Sequence, residues 1–406
     1  MQQTLSSQQP KSIKNTLLIL GIIFVAFNLR PSITAIGPLI GDIRLDTGIS
    51  NSLAGLLTTL PLLAFAGLSL LTPKLARKFG NEATVMIGLI LLAVGIFIRP
   101  TDFISLLFFG TLLVGSGIAI CNVLLPGIVK QKFAAKVGLM TGMYTLAMSG
   151  AASIGSGVSV PMAHGLNLGW KGTLIAWGVL TIVAMIVWIP QLRKKKADEH
   201  QNVKLPNTQA KTSVWRSKIA WQVTIFMGLQ SLLFYCLIAW LPEILYSRGL
   251  SLSASGWMVS ILQIVGLPST MLAPYIADRL TNQRMLMLVM GIVYFTGLTL
   301  LLVGDHLVVL SISVILVGVS QGASIGLSLT LLSLRARDAK QASNLSGMAQ
   351  SVGYLLAATG PFAIGMIFDI FHSWDISLFI LLIVCLFMTL AGIGAGRDEY
   401  VTPAES

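Results

Sequence analysis

Twelve apolar runs, each about long enough to cross a bilayer as a helix, follow one another through the 406-residue chain. They lie at approximately 16–40, 51–72, 83–98, 103–126, 138–161, 172–190, 219–241, 253–275, 285–304, 307–332, 343–368 and 376–395. Only 10% of the residues are charged and 55% are hydrophobic, whereas a soluble domain carries about 25% charged residues. Strands of a membrane barrel would be shorter and would alternate polar with apolar, so helices are expected. The expected fold is an all-α integral membrane protein with twelve transmembrane helices. The first run is too long for a signal peptide and lacks a small-residue cleavage site, so it reads as a retained helix.

The net charge of +12 suggests a nucleic-acid partner until its distribution is read. If the N-terminus is cytoplasmic, 22 of the 27 Lys and Arg fall on that side, among them Lys11, Lys14, Lys74, Arg77, Lys78, Lys130, Lys132, Lys136, the run 193–196, Arg279, Arg284, Arg335, Arg337 and Lys340. Arg44, Arg99, Lys171 and Arg248 lie opposite, and Arg30 lies between. This is the positive-inside asymmetry. It implies a multi-pass protein of a bacterial inner membrane with both termini cytoplasmic, the lipid bilayer as partner and no nucleic acid. Cys121, Cys236 and Cys385 sit far apart within apolar runs. They read as small core residues, and no disulfide, metal or cofactor is expected.

The longest polar stretch, 191–218, divides the chain into two sets of six segments, 1–190 and 219–406, and reads as a flexible cytoplasmic linker. Internal similarity follows the same division. Gly55 and Pro73 recur as Gly256 and Pro274 at a shift of 201, and Leu139-Met140-Thr141-Gly142-Met143 recurs as Asn344-Leu345-Ser346-Gly347-Met348 at a shift of 205. Parallel six-helix repeats joined by a cytoplasmic loop imply two pseudo-symmetric bundles with a site near the bilayer midplane between them.

Arg30 is the candidate centre of that site. It lies about 14 residues into the first run, near the middle of a hydrocarbon core about 30 Å thick. An Arg at that depth costs about 2.5–3.5 kcal/mol on insertion scales, so it faces protein, water or a ligand. It reads either as the ligand of an anionic or polar solute or as a bridge between helix carbonyls, and Pro31 frees carbonyls for both. Thr34 lies four residues on, hence on the same face. Gln350 and Tyr354 share a face in the same way, and Gln230, Tyr235 and Trp240 follow along the seventh segment. A shift of 203 between Gly115 and Gly318 aligns Gln321 with Ile118, one turn from Asn122, so these two amides occupy one face of related helices. Tyr144 and Gln263 are weaker candidates, and the glycines of segment five read as packing surfaces. Each Asn, Gln or Tyr also reads as interhelical hydrogen bonding, about 0.6 kcal/mol on average.

These residues resemble the major facilitator superfamily over essentially the whole chain. Its loop between helices two and three reads roughly G-x-x-x-D-R-x-G-R-R. The second-half copy keeps Asp278-Arg279, whereas the first has Pro73 and Arg77 at the Gly and Asp positions, so the second half would carry the charge lock of this loop. Thr111 stands near the place of the helix-four Arg of proton-coupled members. More narrowly, the chain resembles the cyanate/2-nitroimidazole transporter group (CynX/NimT) through Leu29-Arg30, the runs 55–66 and 122–127, Ala239-Trp240-Leu241-Pro242 and the run 346–358. The last two stretches fit the nitroimidazole-exporter branch better. The resemblance implies secondary transport of a small polar or anionic solute, with import of an anion such as cyanate as the alternative.

Energy coupling is less legible. Glu243 and Asp369 fall at outer segment ends and the four His in loops, which leaves protons carried with the substrate or a gradient of the substrate itself. An enzyme would want paired carboxylates, a nucleophile with its base or a metal cluster at membrane depth, and a sensor an appended soluble domain. The sequence carries neither, and one monomer encloses the whole expected cavity.

Overall fold

A computed structural model describes residues 9–133, 137–192, 214–337 and 339–401. The linker core 193–213 and the basic residues Lys136 and Arg193 to Lys196 lie outside the described residues. The described chain is helical: α1 Gln9–Asn28, α2 Pro31–Thr34, α3 Ile36–Thr47, α4 Asn51–Phe79, α5 Asn81–Ile98, α6 Ile104–Lys132, α7 Val137–Val160, α8 Gly169–Leu192, α9 Lys218–Ser247, α10 Leu252–Asp278, α11 Arg284–Val303, α12 Leu307–Leu334, α13 Ala339–Phe371 and α14 Trp374–Ala395. Twelve of its stretches are long and apolar enough to span a membrane.

Local chemistry sets the helix ends. The hydroxyls of Ser50, Ser217 and Ser251 accept from the amides of Leu53, Ala220 and Ala254 and so cap α4, α9 and α10. Gly48, with φ of +70°, ends α3 in a left-handed turn open to glycine. Pro61, Pro126, Pro242, Pro268 and Pro361 lie inside helices without ending them. Apolar surroundings leave the backbone no better partner than its own helix.

The first apolar run departs from the straight segment expected over 16–40. The helix breaks at Leu29 and Arg30, restarts at Pro31, and after Ala35 continues to Thr47. Pro31 has no N–H to donate back along α1, and Arg30 takes φ −127° and ψ −42°. The Arg30 carbonyl accepts from the amides of Ile33 and Thr34 at 3.0 Å, which starts α2.

The repeat seen in the sequence recurs as equivalent close contacts. A Cβ on Gly115 would stand 2.4 Å from Pro61, and one on Gly318 would stand 2.4 Å from the carbonyl of Leu262. Pro61 and Leu262 are separated by the same 201 positions as Gly55 and Gly256. Likewise Gly95 fits against the backbone of Val114, and Gly297 against that of Val317. Glycines let these helices approach without an intervening side chain, the close packing that association inside lipid favours.

Between the two sets of helices, α4 packs on α13, α7 on α10 and α3 on α9. The cross-set hydrogen bonds among the described residues fall at one end, away from the linker. Thr59 Oγ1 donates to the Ala358 carbonyl at 2.8 Å, and Ser260 Oγ to that of Ser153 at 2.7 Å. Gln263 Nε2 donates to Ser156 Oγ at 3.0 Å. Asp369 accepts from the Asn51 and Ser52 amides at 2.9 and 2.7 Å. At this far end Lys171 also bridges Asp46 and Asp102, and with the Trp170 indole it holds the Asp46 carboxyl below the usual carboxylate range. Near the linker, Asp278 has no ion pair among the described residues, and Arg279 stacks on Tyr275 at 4.2 Å. The closed end is the far one.

Candidate substrate cavity

Closure at the far end leaves a gap between the two sets of helices that runs from Arg30 toward the α6–α7 and α12–α13 loops. This cavity measures about 730 Å³, within the range of small-molecule sites. Arg30 is the only charged residue on its wall among the described residues. The helix break presents it: with α1 ended at Asn28, the Arg30 side chain leaves an irregular turn rather than a packed helical face.

The guanidinium lies over the Phe234 ring, 5.2 Å from its centroid, and Tyr235 and Tyr354 line the same wall. Among the described residues it pairs with no carboxylate. A half-buried cation without an internal counter-charge favours a negative or partly negative neighbour. Five N–H donors in a planar fork suit a carboxylate-like or nitro-like pair of oxygens. Aromatic rings flank the spot, Phe234 against Tyr235 at 5.0 Å and 87°, and Phe65 against Tyr354 at 5.9 Å and 75°.

Of the nine residues singled out from the sequence, Arg30, Asn122, Gln230, Tyr235, Gln321, Gln350 and Tyr354 lie on this wall, as do Tyr144 and Gln263. Gln350 Nε2 donates to Ser346 Oγ at 2.8 Å, and Gln321 Nε2 lies 3.5 Å from the Tyr294 hydroxyl. Asn122 is exposed to the cavity while Gln321 is buried, although both face it.

The structure places Thr34 and Trp240 off the wall. Thr34 Oγ1 donates to the Ala152 carbonyl at 3.0 Å, because the break after Asn28 turns α2 onto α7. Trp240 is fully buried and its indole donates to the Pro361 carbonyl at 2.9 Å, which ties α9 to α13 on the closed side. Sequence reasoning missed Phe234 and Phe65, which are unmarked within apolar runs. The available signal was that Phe234 lies one turn from Gln230 and next to Tyr235.

A helical membrane protein with a cavity between its two sets of helices, singly charged among the described residues, has the form of a solute carrier. The model of the Major Facilitator Superfamily matches residues 19–358, and the chain belongs to that superfamily. It is 50% identical over 97% of both chains to "Uncharacterized transporter YycB" of Bacillus subtilis (strain 168). Identity is 40% to the 2-nitroimidazole transporter of Escherichia coli (strain K12), over 95% of this chain and 96% of that one. It is 28% to the Cyanate transport protein CynX of the same strain, over 86% and 89%. These relatives place the chain in the CynX/NimT group. The D-xylose-proton symporter shares its fold at TM-score 0.77 and 16% identity, over 95% of this chain and 98% of that one.

Proposed function

We propose that this protein is a secondary active transporter that moves a small polar or anionic, nitroimidazole-like compound across a bacterial inner membrane by alternating access. The reading rests on the Arg30 guanidinium at the head of the cavity, which has no carboxylate partner among the described residues. The substrate's negative or partly negative group sits on Arg30. Its flat body lies among Phe65, Phe234, Tyr235 and Tyr354, with Asn122, Gln230, Gln321 and Gln350 offering amides around it. The bundles 1–190 and 219–406 rock about this site, joined by the linker 191–218. With both termini cytoplasmic, the closed far end is periplasmic and the cavity opens to the cytoplasm. One chain supplies a whole cavity, so a monomer suffices.

Import of a small anion such as cyanate is the second reading, favoured by the lone positive charge on the wall. A three-atom anion would fill little of a cavity of about 730 Å³, and it has no use for the aromatic flanks. Proteoliposome counterflow with 2-nitroimidazole, cyanate and small carboxylates, with and without a pH gradient, separates the two. Exchange of the nitroaromatic over cyanate supports the first reading, exchange of cyanate alone the second. Exchange of none removes both.

A further inference from the structure

Ten buried side-chain polar atoms have no hydrogen-bond partner among the described residues. Of the residues that carry them, Gln230 alone lines the cavity. Its side chain is 4% exposed. Nε2 donates to Ser231 Oγ at 2.8 Å, and Oε1 is left over. Buried carbonyl oxygens are nearly always paired, and orphaning one costs about 1–3 kcal/mol. An unpaired acceptor in the wall of a binding site is therefore matched by what binds there.

Gln230 lies four residues before Phe234 on α9, so the two share a face about 6 Å apart along the helix axis. Phe234 carries the Arg30 guanidinium over its ring. The wall thus has a group at Arg30 that can only donate, set over the Phe234 ring, and an unmet acceptor one helical turn along α9 from that ring.

We infer that Gln230 is a specificity-determining residue. It selects planar solutes that carry an N–H or O–H donor in addition to the nitro or carboxylate oxygens that meet Arg30. Oε1 is covered by the wall, so a solute donor reaches it as the Gln230 side chain turns toward the cavity. This inference rests on the transporter reading above and adds the donor requirement to it. Solutes without a donor, cyanate and N-alkylated heterocycles among them, meet Arg30 but leave Oε1 unpaired. A site built to hydrogen-bond a donor discriminates strongly against analogues that lack it.

The test is counterflow by the full-length protein in proteoliposomes with two matched pairs. One is 2-nitroimidazole with 1-methyl-2-nitroimidazole, the other pyrrole-2-carboxylate with 1-methylpyrrole-2-carboxylate, so either oxygen-bearing group is covered. Expected is a preference of roughly 10- to 100-fold in kcat/KM for the N–H member of the transported pair. In Gln230→Met, a substitution of similar volume, the N–H member falls to the rate of its methylated partner. The melting temperature of the purified variant reports its folding. Should the variant fail to insert, the wild-type comparison decides alone. Equal handling of both members, or cyanate exchanged as fast as the N–H compounds, overturns the donor requirement and leaves the transporter reading standing. No exchange of any probe overturns both.

Discussion

Arg99 Nη1 donates to the Ser32 carbonyl at 3.1 Å, two residues beyond Arg30. Arg99 is 1% exposed, and its Nε has no partner among the described residues. Arg99 thus holds one helix carbonyl beside Arg30, the kind of contact that was one of two readings open for Arg30 in the sequence. Arg99 ties down α2, which starts immediately after Arg30, while Arg30 lines the cavity.

Removing Arg99 should therefore loosen the Arg30 turn more than it unfolds the protein. Exchanging a buried charge for an apolar side chain is often neutral for stability, and the Ser32 carbonyl loses one hydrogen bond, about 1 kcal/mol. Arg99→Met is expected to keep its melting temperature within a few degrees of wild type. It should raise the substrate KM several-fold in counterflow. A variant with unchanged KM would separate the Ser32 contact from the site.

Arg30→Lys keeps the charge and loses the planar fork. Lys is a compact point charge with no bidentate geometry. Transport should fall roughly 10- to 100-fold while expression and melting temperature stay at wild-type values, since the guanidinium makes no ion pair among the described residues. Wild-type counterflow in a well-folded Arg30→Lys protein would take the guanidinium out of the site.

Much of this was legible in the sequence, because span length and charge asymmetry are imposed by the bilayer itself. All twelve spans were readable to within about six residues at their ends, and the repeat shift of 201 reappears between Pro61 and Leu262, against which Gly115 and Gly318 pack. Seven of nine candidates reach the cavity because helical spacing fixes which residues share a face. Thr34 failed since that arithmetic assumes a straight helix, and Pro31 breaks it. Trp240 failed because, at about 100° per residue, it stands roughly 80° from Gln230 on the side away from Phe234 and about 140° from Tyr235, off the face of α9 that meets the cavity. Arg99, followed by Pro100-Thr101-Asp102, reads as a loop residue, and only packing against α2 buries it.

The Asp369 carboxylate of α13 accepts from the Asn51 amide, the Asn51 side chain and the Ser52 amide at the start of α4, at 2.9, 2.7 and 2.7 Å. It acts as a helix cap supplied across the gap between the two sets of helices, with the favourable sign for a helix N-terminus. Losing a cap costs about 0.5–2 kcal/mol. Asp369→Ala should thus shift the balance toward a form open at the far end by roughly 2- to 30-fold. Spin-label distances between the far ends of α4 and α13 would lengthen in that fraction of molecules. An unshifted distribution would reduce the contact to local capping.

Gly37 gives the sharpest steric prediction. A Cβ there would stand 2.1 Å from the carbonyl oxygen of Ile238, and the obstacle is backbone, not a side chain that can swing aside. The contact joins α3 to α9 at the closed end, across the two sets of helices. Gly37→Ala therefore leaves each set free to fold and opposes only their meeting. If transport requires the far end to close and reopen, this one methyl should abolish net transport and leave the far end open. Far-side spin-label distances would be long, and the cavity would be reached by polar thiol reagents from the far side. Gly55 and Gly365, whose Cβ atoms would meet the backbone of Pro361 and Asn51 at 2.4 and 2.3 Å, should behave alike as alanines. Wild-type transport by Gly37→Ala would mean that α3 and α9 adjust without separating, and closure would then have to be sought at α4 and α13.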